Sequence, residues 1–313
     1  MPTPRNLIVD EREVGTYHCI SRCVRQERLF GRGLEHRRDW IERRIAELQA
    51  AMAIDIVAWN ILSNHLHLIV TIRPDLVASW SDAEVAERYC RMCPGRWKRR
   101  RKGIPDDEGP TPEEISAITS NPERLAVARE RLSSLSWFMR ELKTPISRLS
   151  NLEDGVKGAF WDQRFRSIRI LDEIALLVIA IYVDLNAVRA GMVDRPEDTP
   201  HGSISERVAA ISGTARRTRI RLEPAPLEPE EAYVQLVDGA GRSFSPGKAS
   251  IPSHLPPILK RLGLTTRRWT RLLKDGLSTA RGTVVGTEAS RRKEAARRGR
   301  RWLIDLLAVP QTA

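Results

Sequence analysis

Two apolar runs, Ile54 to Leu62 and Leu66 to Ile72, are separated only by Ser63-Asn64-His65. Their β-branched content around two turn-forming residues predicts two strands joined as a hairpin. Upstream, VGTYHCISRCV at 14–24 has the β-branched and aromatic content of a third strand. Between them, residues 37–53 place Trp40, Ile41, Ile45 and Leu48 at helical spacing with charges interspersed, which predicts an amphipathic helix. Strand, helix, strand, strand in that order fits half of a small antiparallel sheet with helices on one face. From about residue 74 to 128 the pattern breaks, and a short helix followed by an insertion or exposed loop is expected. Helical periodicity returns over 129–150, where Pro145 is expected to kink or interrupt the helix. Phe160 to Ile170 then alternate like a strand carrying Arg164, Arg166 and Arg169.

The best-delimited helix runs from Ile174 to Ala190. Asp172-Glu173 supply a cap and first-turn acids, and Gly191 suits the C-terminal cap. Its near-continuous apolar run, IALLVIAI, predicts deep packing. Residues 206–231 include the acidic, proline-rich LEPAPLEPEE and read as a linker. This divides the chain into a domain over 1–205, with its insertion at about 74–128, and a basic, mainly helical region over 232–313. Within the latter, EAYVQLVD is expected as one strand. LPPILKRLGLTTRRWTRLLKDGL is expected as two short helices, loosely like a helix-turn-helix. SRRKEAARRGRRWLIDLL is expected as a basic helix.

Charge narrows the partner. Lys+Arg number 52 against 40 Asp+Glu, a net +12, which suits a polyanion such as nucleic acid or an anionic membrane surface. No apolar run approaches the roughly 18 residues that a membrane span needs. The N-terminus has no signal-peptide apolar core, so a cytoplasmic chain is expected, nucleoid-associated through any DNA binding.

The candidate chemistry starts at Ser63-Asn64-His65-Leu66-His67-Leu68. Strand side chains alternate faces, so His65 and His67 point one way and Leu66 the other. Two imidazoles on one face can hold a metal ion if a third ligand arrives. Tyr182 and Asn186, four apart on the apolar helix, share one of its faces. Burying either polar group without a partner costs on the order of 1–3 kcal/mol. The economical arrangement brings that face to the histidines, with the Asn186 oxygen as third ligand and Tyr182 beside the metal. Such an open coordination shell suits catalysis on a phosphate, with the Tyr182 phenol as nucleophile. Of the four tyrosines, Tyr17 and Tyr89 lack a partnered helical motif and Tyr233 lies beyond the linker.

These residues, His65-Leu66-His67, WDQRFRS at 161–167 and YVDLNAVRAGMV at 182–193, resemble the HUH single-tyrosine transposases, above all the REP-associated tyrosine transposases. YHCISR and SNHLHLIV are similar to that family's first strand and metal strand. The resemblance spans about residues 14–205. It implies a ferredoxin-like α+β domain: an antiparallel sheet with helices packed on it. It further implies Mg²⁺ or Mn²⁺ on His65, His67 and Asn186, and cleavage of single-stranded DNA near a hairpin or inverted repeat, leaving a 5′-phosphotyrosine on Tyr182. Arg22, Arg164, Arg166 and Arg189 are the expected DNA contacts, and the protein would act as monomer or homodimer. Two departures are visible: Asn186-Ala187 stands where the family usually has Asn-Pro, and Trp161-Asp162-Gln163-Arg164 replaces a more usual Trp-Glu-Gly-Arg.

Other readings compete. A domesticated descendant could bind a DNA hairpin without cutting, and a third reading is a metal-dependent RNA-binding protein or nuclease. Cys90 and Cys93 have zinc-ligand spacing. Cys19 and Cys23, four apart on a strand, are about 13 Å from each other, too far for one ion unless the strand ends before Cys23. Buried or free thiols are therefore expected. Arg99 to Lys102 beside Trp97 suit phosphate contact or a solvated loop equally, and Arg297 to Arg301 would add salt-sensitive affinity.

Overall fold

The computed structural model describes residues 8–92, 109–214, 217–242, 284–300 and 303. Strand β1 (Gly15–Arg22) leads into helix α1 (His36–Ala51), and β2 (Ile54–Ile61) and β3 (His65–Ile72) form the expected hairpin. Helices α2 (Pro74–Ser79), α3 (Asp82–Met92), α4 (Pro112–Thr119), α5 (Pro122–Leu132) and α6 (Leu135–Glu153) follow before β4 (Arg166–Ile170). Then come α7 (Glu173–Asp184), α8 (Asn186–Arg189), α9 (Ser203–Ile211), α10 (Glu230–Arg242), β5 (Val284–Val285) and α11 (Glu288–Arg297).

Among the described residues the sheet order is β2-β3-β1-β4-β5. The first four strands are antiparallel, and β5 runs parallel to β4. With α1 between β1 and β2, and α6 closing the crossover to β4, this is the ferredoxin-like α+β arrangement. Helices cover both faces, not one. Tyr17, Cys19, Leu66, Leu68 and Val70 pack with Ile41 and Ile45 of α1 and with Phe138 and Leu142 of α6. The alternate strand positions, Ile20, Ile69 and Ile168, pack with Val178 and Ile181 of α7, Ile204 of α9 and Tyr233 of α10. Each such fully buried aliphatic contributes roughly 1.5–3 kcal/mol, which is why a helix as apolar as α7 lies against the sheet.

Several elements differ from expectation, for identifiable reasons. The stretch expected as a short helix and then an insertion or exposed loop holds α2, α3, α4 and the start of α5 around residues 93–108, which lie outside the described set. Local caps build these helices. Thr111 and Glu114 form a reciprocal capping box, and the Asn121 side chain accepts from the Arg124 N–H just before Pro122. Helix α6 runs through Pro145 unbroken. Proline has no N–H for the carbonyl four residues back, and Arg44 Nε donates to that carbonyl, Glu141 O, at 3.1 Å. The strand expected from Phe160 begins only at Arg166, with Trp161 in an isolated bridge to Cys23. EAYVQLVD is helical: Tyr233, Leu236, Val237 and Ala240 are buried at i, i+3, i+4 and i+7, a helix period inside β-branched composition. The helix-turn-helix-like segment, the basic run at 99–102 and Cys93 lie outside the described residues.

Residues 284–300 pack onto the sheet. Val284 and Val285 pair with Arg169 and Ile170, Arg169 faces Glu294 at 3.6 Å, and the Thr287 N–H donates to Asp172. No helix among the described residues is long and apolar enough to cross a membrane.

Candidate active site

Strand alternation sends Leu66 to the α1–α6 side and His65 and His67 to the α7 side. Register aligns their neighbours. Arg22 lies opposite His65, Ile20 lies between His67 and Arg166, and Asn60 on β2 lies opposite His67. Helix α7 is capped by Asp172, whose side chain accepts from the Ala175 N–H. Its C-terminal end is held three ways. Asn60 Nδ2 donates to Val183 O at 2.9 Å, and the buried Asp184 carboxylate accepts from Ser203 Oγ and Tyr233 Oη, each at 2.6 Å. The polypeptide then steps through Leu185 into α8 and stops at Gly191, whose φ of 64° is the left-handed cap conformation. These bonds fix the turn that carries Tyr182 and Asn186.

Tyr182 reaches the histidines. Its ring centroid is 5.7 Å from His67 and 6.1 Å from a third imidazole, His18, both edge-on. His65 and His67 centroids are 4.9 Å apart. The Arg189 guanidinium lies 5.2 Å over the Tyr182 ring. Asn186 Nδ2 donates to the Tyr182 carbonyl at 3.2 Å, which ties its side chain back to the turn below Tyr182. Arg166 is near enough to Arg22 and Tyr182 for each to act on its charge. The expected residues His65, His67, Tyr182, Asn186, Arg22, Arg166 and Arg189 therefore belong to one region. Arg164 does not. It is exposed in a separate cleft of about 520 Å³ with Arg140, Lys143, Arg148 and Trp161, beside α6.

The imidazoles suit a metal. Burial, then Arg22, pushes His65 down to about 4; burial, then its histidine neighbours and arginines, holds His67 well below 6.5. Both are neutral at pH 7 and keep a lone pair for a cation. His65 Nδ1 donates to Asn64 Oδ1 at 2.6 Å, which leaves its Nε2 for coordination, and His67 Nδ1 shares a hydrogen bond with His18 Nε2 at 2.9 Å. His18 escaped sequence reasoning because a lone histidine in an apolar strand reads as core. Its one legible signal is parity: His18 shares strand parity with Arg22.

A second cluster was not expected. Single ligand atoms of Asp39, Glu42 and His201 all lie within 4.8 Å of one another, close enough to hold a metal ion. Its electrostatics are already partly satisfied. Arg217 bonds Glu42 at 2.6 Å and lies 3.5 Å from Asp39, and Trp59 Nε1 donates to Glu42. Burial works to raise Glu42, but the bonds from His201 and Arg217 hold it below its usual value. Among the described residues no cysteine belongs to a cluster of three metal-ligating side chains, and burial pushes the Cys23 thiol up to about 12.

Protein-family models give no match to this chain, and neither do the curated proteins. Among solved structures, the chain is similar to a REP-associated tyrosine transposase bound to a REP hairpin, at 17% sequence identity and a TM-score of 0.39, over 67% of this chain and 86% of that one. At that level the likeness carries no argument about this chain.

Proposed function

We propose that the chain is a metal-dependent transesterase that nicks and rejoins hairpin-associated single-stranded DNA through Tyr182. The observation that carries this reading is the convergence of Tyr182 with His65 and His67 on one sheet face, ringed by Arg22, Arg166 and Arg189. A bare hairpin binder has no use for paired neutral imidazoles beside a tyrosine.

Each residue has a role in this reading. The Tyr182 phenolic oxygen attacks a backbone phosphorus and gives up its proton. The bond from that phosphorus to the upstream 3′ oxygen breaks, and the oxygen leaves as a 3′-hydroxyl. The 5′-phosphotyrosine that forms replaces one ester with another, so rejoining needs no outside energy source. His65, His67 and Asn186 would hold Mg²⁺ or Mn²⁺, which supplies Lewis-acid polarisation of a phosphate oxygen. Arg22, Arg166 and Arg189 would neutralise the backbone charge that the attack brings to the site.

Incubation with hairpin-flanked single-stranded DNA and Mn²⁺, followed by denaturing gels, tests this. Wild type should form a covalent protein–DNA adduct, and chelation or His67→Ala should abolish it while hairpin binding survives. An adduct that persists in His67→Ala and in chelator sinks the metal assignment.

A second reading, a catalytically silent hairpin-binding protein, is favoured by one feature: Tyr182 is only 4% exposed. Tight hairpin binding with no adduct would select it.

A further inference from the structure

His18 is fully buried on the sheet between Ile69 and Ile168, with the Tyr182 ring edge-on at 6.1 Å and Arg166 near enough to act on its charge. In that setting it makes one polar contact, Nε2 to His67 Nδ1 at 2.9 Å, with the two rings stacked at 5.1 Å and 16°. Its other nitrogen, Nδ1, is buried with no hydrogen-bond partner. An imidazole that served packing alone would be better replaced by an apolar side chain, because a buried polar atom without a partner opposes folding. Something other than packing accounts for its presence.

A neutral imidazole carries one proton, so the shared bond has two forms. In one, His67 Nδ1–H donates to His18 Nε2, and His67 Nε2 is a bare lone pair. In the other, His18 donates, and His67 Nε2 carries a hydrogen that bars a cation. Both leave His18 Nδ1 unpartnered, so burial of that atom does not choose between them. His65 shows the pattern required of a ligand: its Nδ1 faces Asn64 Oδ1, and an amide oxygen can only accept, so its proton is on Nδ1 and its Nε2 is bare. His67 has no amide oxygen in the same place and has His18 instead.

We infer that His18 is a positioning residue that accepts the His67 Nδ1–H and thereby holds the His67 Nε2 lone pair ready for the divalent cation. The inference rests on the proposed use of His67 as a ligand. It assigns His18 no contact with DNA or with the reacting atoms.

Two measurements test it. In the metal-free protein at neutral pH, long-range proton–nitrogen NMR correlations should report His67 protonated on Nδ1 and bare on Nε2. Mn²⁺ affinity, measured by calorimetry, should fall about 10–100-fold in His18→Leu, the range typical of a lost partner to a metal-binding histidine. His18→Gln, whose side-chain carbonyl can accept the same bond, should recover most of that loss. A melting curve for each variant separates this from misfolding, which would not be relieved selectively by a hydrogen-bond acceptor. A His67 protonated on Nε2, or wild-type Mn²⁺ affinity in His18→Leu, overturns the inference. Should wild type bind no Mn²⁺ at all, the metal reading of the site fails, and the His67 tautomer still decides the role of His18.

Discussion

Tyr182, His67 and His18, buried, and His65, half-buried, form a polar knot in an apolar layer, with a measurable consequence. An unfolded histidine titrates near 6.5, whereas burial, then Arg166, lowers His18 to about 3, and His65 is lowered to about 4. Below pH 6.5 the unfolded chain therefore takes up protons that the native site refuses. Stability from these groups is present above pH 6.5 and is lost as pH falls toward 4, at about 1.4 kcal/mol per pH unit for each histidine. Denaturant titrations of the metal-free protein should show this slope, and His65→Asn should reduce it. A flat profile between pH 6.5 and 4 would contradict the burial of these rings. The His65–His67 pair and Tyr182 with Asn186 were legible in the chain because strand alternation and a four-residue helical step are local rules. His18 and Asn60 were not. Their meaning comes from strand register, which sets Asn60 beside His67 across β2 and β3 and brings His18 to a ring two positions away in register on β1.

Elements show the same division between local and tertiary causes. The start of α7 was readable from Asp172 and the end of α8 from Gly191, because capping is written within a few residues, but the break at Leu185 that divides the helix expected over 174–190 was not. The persistence of α6 through Pro145 was not, since the group that satisfies the orphaned Glu141 carbonyl comes from Arg44, far away in sequence. Arg44 also lies 3.9 Å from the buried Glu141 carboxylate, whose pKa burial raises. Arg44→Met should accordingly destabilise the protein by about 1–3 kcal/mol, since it leaves the Glu141 carbonyl without its donor and the Glu141 carboxylate with Arg140 at 3.8 Å as its remaining close partner. In a Pro145→Ala background the helix recovers its own N–H, so the cost of Arg44→Met should shrink. A double-mutant cycle in urea checks this, and equal costs in both backgrounds would deny the link between Arg44 and the proline gap. Helix α10 was misjudged because Tyr233 and Val237 have strand-like composition. Their burial follows the helical period, and Tyr233 binds Asp184 at the base of the Tyr182 turn.

For the whole molecule, half of a small antiparallel sheet was legible because β1, α1, β2 and β3 are sequential, whereas the ferredoxin-like arrangement came only with the family resemblance. The attachment of the C-terminal region was not, since a two-residue strand such as Val284–Val285 has no periodicity to read. That attachment should matter for stability. Removal of residues 284–313 takes the parallel partner from β4 and the Glu294 partner from Arg169, and should lower the melting temperature of the remaining domain. An unchanged melting temperature would mark the region as an independent appendage. Basic charge on both sides of the sheet, at Arg22, Arg166 and Arg189 and in the Arg140–Arg148–Arg164 cleft, should make DNA affinity fall steeply with salt. The account depends most on Tyr182 as the nucleophile, and one experiment reaches it directly. Labelled hairpin-flanked single-stranded DNA is incubated with Mn²⁺ and either wild type or Tyr182→Phe, and protein-linked label is measured after denaturation. Label on wild type and none on Tyr182→Phe, with hairpin binding retained in both, is the predicted result; label that survives on Tyr182→Phe, or tight binding by wild type with no linked label, would contradict it.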